Sequence, residues 1–182
     1  MNSLKIVVLG DGGVGKSSIT LRFVKGQFIS YYDPTIEQSY NSEIELDHKK
    51  HTLVIIDTSG QEQFRTLQDS HLAQGDGFLV IYSLVDSPSF ETVDEIFNRI
   101  EKFQDKKCQE IPIVLIGNKS DLPDRQVEND SGKSKAEEWK VSFFETSAKT
   151  GNFVHEAILA CVSQILKKRD VDSIQKKKCL IL

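Results

Sequence analysis

The chain has 182 residues, 38% of them hydrophobic and 27% charged, which excludes a disordered or collagen-like chain and leaves room for one compact domain or two small ones. No apolar run approaches the roughly 18 residues of a membrane span, and no charged-then-apolar leader opens the sequence. Three widely spaced cysteines, Cys108, Cys161 and Cys179, do not read as a disulfide framework, so a reducing, intracellular setting is expected.

The formal net charge of −4 conceals an asymmetry, because residues 167–178 are basic against only Asp170 and Asp172. An acidic body argues against general nucleic-acid binding. The basic end is either a solvated helix terminus or a tail with its own anionic partner.

In chain order, Leu4-Lys5-Ile6-Val7-Val8-Leu9 is an apolar run feeding a glycine cluster, which predicts a buried strand and a turn, and residues 16–25 read as a helix. Strands are predicted over 38–46 and 52–57, joined by the polar turn Asp47-His48-Lys49-Lys50. Residues 77–82 form another buried run. Ser87-Pro88 then opens a helix, with Ser87 as the N-cap and Pro88 in the first helical position. A strand follows over 111–116, a helix over about 134–140 and a short strand over 142–145. The closing helix spans 153–168, with Val154, Ile158, Cys161, Val162 and Ile165 on one stripe. Strands alternating with helical segments predict right-handed crossovers and a mostly parallel α/β sheet covered on both faces. Ligands of such sheets bind beyond the carboxyl ends of the strands, so the chemistry is expected in the loops that follow them.

The first such loop, Gly10-Asp11-Gly12-Gly13-Val14-Gly15-Lys16-Ser17, has the G-x-x-x-x-G-K-[ST] spacing between strand and helix. Its glycines let successive N–H groups point at phosphate oxygens. Lys16 reaches the outer phosphates, the Ser17 hydroxyl suits Mg²⁺, and the helix N-terminus adds its dipole. After the 111–116 strand stands Asn118-Lys119-Ser120-Asp121. One carboxylate, Asp121, can accept both N1–H and the 2-amino group of guanine; adenine lacks that donor pair and would leave a buried Asp121 unpaired. Asn118 can tie the loop together, and the Lys119 stem can lie over the purine. The turn Thr146-Ser147-Ala148-Lys149 can offer a backbone N–H to the base oxygen. Asp57-Thr58-Ser59-Gly60-Gln61-Glu62 supplies the third side: Asp57 for a Mg²⁺-bound water, the Gly60 N–H for a terminal phosphate, and Gln61 to orient an attacking water. Taken alone, that stretch is no more than an Asx-type turn.

Together these motifs resemble the Ras superfamily of small GTPases, closest to its Ras/Rap branch, and the resemblance covers essentially the whole chain. It implies a single P-loop NTPase domain over residues 1–168, with a mostly parallel six-stranded sheet and about five helices on both faces. Residues 169–182 would be a flexible basic tail. Tyr32-Asp33-Pro34-Thr35-Ile36-Glu37-Gln38-Ser39-Tyr40 matches the effector loop, which makes Thr35 the switch residue that meets Mg²⁺ and the γ-phosphate. Phe28 matches the aromatic that lies against guanine. Ile56 rather than Trp, and a terminus without paired cysteines, fit the Rab branch less well. The stretch from Asn118 to Ser147 is too short for the extra helix of Rho proteins.

The resemblance thus implies GTP/GDP held by Asp11, Gly12, Gly13, Val14, Gly15, Lys16, Ser17, Ser18, Phe28, Thr35, Gly60, Asn118, Lys119, Asp121, Ser147, Ala148 and Lys149. Mg²⁺ would be held by Ser17, Thr35 and Asp57, and hydrolysis would depend on Gln61, Lys16, Thr35 and Gly60. It implies a monomeric switch. Two loops, about 27–40 and 58–75, order around GTP and relax on hydrolysis, with effectors on 32–40 and an exchange factor and GAP on the switch loops. Three positions depart from the pattern: Ser59 stands where Ala is usual, Gln38 where an acidic residue is usual, and His71 where Tyr is usual. Ser59 leaves open a GTP-binding scaffold with little turnover. Cys179-Leu180-Ile181-Leu182 has the C-a-a-X form, its final Leu favouring geranylgeranyl, and Lys176-Lys177-Lys178 supplies the second signal for an anionic membrane. The expected location is the cytoplasmic face of a membrane, the plasma membrane first.

Overall fold

The computed structural model describes residues 3–29, 37–61 and 65–179, with Arg65, Leu67 and residues 174–179 described by backbone alone. Expectations that rest on Thr35 and its neighbours 30–36, on Glu62, and on the last three residues lie outside the described residues.

Six strands, β1 (Leu4–Leu9), β2 (Glu37–Leu46), β3 (Lys49–Thr58), β4 (Gly77–Ser83), β5 (Ile113–Asn118) and β6 (Ser142–Glu145), form one sheet in the order β2-β3-β1-β4-β5-β6. Only β2 and β3 run antiparallel; every other pairing is parallel, as the alternation of strands and helices predicts. The two sides of β1 show why the central strands read as unbroken apolar runs. Leu4, Ile6 and Val8 join the core under one sheet face, and Val7 and Leu9 join the core under the other. The β2–β3 turn is tighter than expected. Leu46 pairs with Lys49 across Asp47 and His48 alone, both at positive φ (50° and 59°), so Lys49 and Lys50 belong to the strand.

The helices are α1 (Lys16–Lys25), α2 (Arg65–Gln74), α3 (Ser87–Glu91), α4 (Val93–Gln104), α5 (Asn129–Trp139) and α6 (Val154–Cys179). α3 and α4 follow each other with only Thr92 between them, so five helical segments cover the sheet. α3 starts one residue earlier than expected. Asp86 is its N-cap and Ser87 lies inside it, and Pro88 is tolerated because first-turn N–H groups have no intrahelical partner. α5 begins at Asn129 rather than near 134, in a polar stretch whose buried side is only Gly132 and Ala136. α2, which the sequence leaves inside the second switch loop, carries little apolar periodicity; Leu72 is buried from it.

α6 buries the expected stripe of Val154, Ile158, Cys161, Val162 and Ile165, but it does not stop at residue 168. Arg169 still touches the body, pairing with Asp76 at 2.9 Å and donating to the Ser3 carbonyl, and the helical backbone then runs on to Cys179. No Gly or Pro interrupts that stretch, and its lysines lie where the helix dipole favours cations, so the expected flexible tail is helical as far as it is described. Residues 170–173 are exposed, so this part of the helix stands largely in solvent. Among the described residues no helix is long and apolar enough to cross a membrane.

Candidate functional site

The parallel register brings the carboxyl ends of five strands to one edge. Val8 lies beside Asp57, Leu9 beside Val80, Ser83 beside Asn118 and Gly117 beside Glu145. The loops after β1, β3, β5 and β6 therefore converge although residues 10 and 149 are far apart in sequence.

α1 begins at Lys16 behind Gly15, whose φ of 101° is left-handed, and no side chain caps the helix, so its first N–H groups face the 10–15 loop. Val14 is fully buried in the core and anchors that loop, whereas Gly12 and Gly13 are exposed, with nothing within 4 Å of the place a Cβ would take. Lys16 is only 7% exposed; its Nζ donates to the carbonyls of Gly10 (2.9 Å) and Asp11 (2.7 Å). Burial lowers its pKa to about 8, against the pull of Asp57 and Asp11.

Asp57 is fully buried, and neither carboxylate oxygen completes a hydrogen bond. Burial raises its pKa, partly offset by the nearby Ser17 hydroxyl and by Lys16. A buried carboxylate so little compensated is costly in a protein that has no use for it. Carboxylate and hydroxyl oxygens beside a phosphate-type loop are the donor set of a hard cation such as Mg²⁺, so these residues fit the expected ion.

Asn118 ties more than its own loop. Its Nδ2 donates to Val14 O (2.9 Å), while its Oδ1 accepts from Thr146 Oγ1 and from Ala148 N (both 3.2 Å). One buried amide thus joins the 10–15 loop, the end of β5 and the 146–149 turn. A Cβ on Gly15 would fall 2.3 Å from Asn118 Nδ2, so that glycine is needed for its positive φ and for this close approach.

Asp121 accepts the Ser147 hydroxyl at 2.6 Å, but it stands at an exposed rim rather than buried. The loop rises from a bidentate Arg125–Glu145 clamp (2.8 and 2.9 Å) that fixes its base but leaves its tip in solvent. Lys119, at a φ of 70°, turns the chain between them. Lys149 is exposed and Phe28 is 39% exposed.

The third loop packs on the first: a Cβ at Gly60 would lie 2.2 Å from Gly12 N and 2.3 Å from Asp11 C. Thr58 Oγ1 donates to Val8 O (2.7 Å), and Gln61 N donates to Ser59 Oγ (3.1 Å). The Ser59 carbonyl is held by Gln68 Nε2. Gln68 Oε1 in turn accepts from Arg99 (3.1 Å), which also pairs with Asp69 (2.7 Å). His71 meets Glu37 at 2.8 Å, linking α2 to the start of β2, and Gln38 accepts the Tyr40 hydroxyl at 2.7 Å.

The sequence did not disclose Arg22. Its guanidinium donates to Ala148 O (2.7 Å), Lys149 O (2.5 Å) and Gly26 O (2.8 Å), holding the 146–149 turn against the segment that leads to Phe28. Its partners are backbone carbonyls, which leave no pattern in side chains.

Beyond Asp121 an open hollow of about 570 Å³ is lined in part by Thr150, Gly151 and Phe153. Phe153 is a half-exposed aromatic at a φ of 53°, a conformation that costs an L-residue about 1–2 kcal/mol and that Asn tolerates. Phe153→Asn is expected to stabilise the protein by about 1 kcal/mol, raising Tm by roughly 2–4 °C in thermal denaturation. A lower Tm would mean that the packing of the ring outweighs the backbone strain.

Comparison with known sequences agrees with the assembled site. The sequence model of the Ras family matches residues 5–167. The Ras-like protein rasC of Dictyostelium discoideum is 40% identical over 187 aligned positions that cover 98% of each chain. With the family match spanning every loop of the site and the relative matching nearly the full length, the chain belongs to the Ras family: it is a small GTPase, a guanine-nucleotide switch that hydrolyses GTP to GDP.

Proposed function

We propose that this GTPase is a slow switch that needs an arginine supplied in trans, and that its basic C-terminal end is prenylated at Cys179 and held on the cytoplasmic face of an anionic membrane, the plasma membrane first. In this reading Lys16 and the N–H groups of residues 12–18 hold the phosphates. Asp121, with Asn118, Lys119, Ser147, Ala148, Lys149 and Phe28, holds the guanine. Ser17, Asp57 and Thr35 hold Mg²⁺, which shields the phosphate charge when bound. Gly60 senses the γ-phosphate, and Gln61 orients the attacking water. Residues 32–40 present the effector surface, and the protein acts as a monomer.

The observation that carries the slow-hydrolysis reading is the fate of the arginines. Among those whose side chains are described, Arg22 is spent on loop carbonyls, Arg99 on Gln68 and Asp69, Arg125 on Glu145 and Arg169 on Asp76. The open space around Gly12 and Gly13 leaves room for an inserted guanidinium. Single-turnover phosphate release from the purified full chain is expected to run below the ~10⁻² s⁻¹ reached when an arginine is held in cis. Many turnovers per second unaided would sink the reading. For the anchor, mass spectrometry of the chain made in a eukaryotic host should find one isoprenoid on Cys179, and an unmodified Cys179 would remove the membrane part. The rival reading, a GTP-binding scaffold with little turnover, draws on Ser59.

A further inference from the structure

We propose that Arg22 is a positioning residue that joins the two walls of the guanine site and so sets how long the nucleotide stays bound. The inference rests on the reading that Phe28 and residues 146–149 hold the base.

The two walls come from distant parts of the chain. One is the segment that leaves α1 through Gly26 and reaches Phe28; the other is the turn that follows β6. Neither wall lies in a helix or a strand. Arg22, in the last turn of α1, spans the gap with three separate nitrogens. Nε donates to Ala148 O at 2.7 Å, Nη2 to Lys149 O at 2.5 Å, and Nη1 to Gly26 O at 2.8 Å. Gly26 is closed on this one residue twice, because its own N–H donates to the Arg22 carbonyl at 3.0 Å. Its φ of 66° is left-handed and ends the helix there, so the backbone leading to Phe28 has a fixed start.

On the other wall, Asn118 holds Ala148 N from the buried side. Arg22 holds the same turn from the surface, and it alone of the two reaches the Phe28 segment. Phe28 is 39% exposed, so its ring leans on the course of its backbone more than on packing. Moving either wall breaks charge-assisted bonds that run to the other, so the base leaves only when both give way. A lysine, with one nitrogen and no planar fork, could not serve carbonyls on both walls at once. A partner that draws the Phe28 segment outward therefore also loosens the 146–149 turn.

The test follows release of radiolabelled GDP and GTP from the full chain into excess unlabelled nucleotide with Mg²⁺ present. Arg22→Met keeps an apolar stem and removes all three donors. It should speed release by about tenfold to a hundredfold, the worth of roughly one charge-assisted bond. The factor should be the same for GDP and GTP, because the joint acts on the base that both share. Arg22→Lys should recover part of the loss, leaving release raised by only about threefold. In a Phe28→Leu background Arg22→Met should add less than it does alone. Amide exchange in the nucleotide-bound chain should quicken at Thr150 and Gly151, whose N–H groups close the turn on Ser147, and stay unchanged at Ile158 in the core.

Release unchanged by Arg22→Met, while Phe28→Leu or Asp121→Ala still speeds it, overturns the joint alone. A much larger factor for GTP than for GDP, or exchange quickened throughout the core, overturns it as well, placing the effect at the terminal phosphate or in the fold. If Phe28→Leu and Asp121→Ala both leave release unchanged, the assignment of the guanine site itself fails.

Discussion

A Lys16→Met variant is expected to lose about three orders of magnitude in affinity for GTP and GDP while its nucleotide-free form keeps its stability to within about 1 kcal/mol. The two halves of this result have one cause. Lys16 is buried, and burial already weakens its hold on its proton, so the folded chain carries this cation at a cost. Methionine is close in length, has no charge to desolvate, and fills the same space. What it removes are two hydrogen bonds, to the Gly10 and Asp11 carbonyls, and their removal offsets the gain. With nucleotide present the balance is one-sided. Charge-assisted bonds to phosphate are worth about 1.5–3 kcal/mol each, and losing about 4 kcal/mol in total is a factor of about a thousand. Fluorescent-nucleotide titration and thermal unfolding of the emptied protein measure the two quantities. Retained affinity would dismiss Lys16 as the phosphate residue. Weakened affinity with a collapsed Tm would show the burial argument to be wrong.

The second large effect is expected at the other end of the nucleotide. Asp121→Ala should weaken GTP binding by about a thousandfold and leave ATP binding nearly unchanged, so that discrimination between the bases collapses. A carboxylate that accepts two donors from guanine contributes about 3–6 kcal/mol, and adenine offers no such pair. The exposed position of Asp121 makes the prediction clean, because the fold does not depend on that carboxylate being buried. Within the protein, the Ser147 hydroxyl is deprived of its acceptor, which loosens the 146–149 turn and adds to the effect. Competition titrations with GTP and ATP decide the matter. Equal weakening for both nucleotides would demote Asp121 to a residue that only shapes the loop.

Both predictions concern residues that spacing alone picked out, and the reason is physical. Strands buried on two faces read as unbroken apolar runs, so β1, β4 and β5 announced themselves, and the loops after them inherited their positions. α2 escaped because Arg65–Gln74 is mostly polar; it lies on the body through Leu72 and through side chains such as Gln68 and Asp69, which no hydrophobic period records. The end of α6 escaped for the opposite reason: the amphipathic stripe stops near Ile165, but nothing in the following sequence breaks a helix. In the site, Asn118 was legible as a residue that ties a loop, yet its reach to Val14 depends on β1 and β5 both lying beside β4. Arg22 was not legible at all. Ser59 stood out as a departure from the family pattern, but its bond to the Gln61 N–H is a property of backbone shape.

The continuation of α6 past Arg169 bears on how the domain would be presented to a surface. Ten residues of helix rise about 15 Å, and a flexible chain of ten has a root-mean-square span of about 17 Å, so the two differ little in distance. They differ in angle. A coil lets a tethered body tumble, whereas a rod that emerges from the core at Arg169 transmits its tilt to the sheet above it. With an anchor at Cys179, leaning the rod by a few degrees would turn the start of β2 at Glu37 toward or away from the bilayer. Lys176, Lys177 and Lys178 lie near the end of the rod, so on the proposed membrane the lipid charge beneath them would become a setting for which face of the switch its partners can reach.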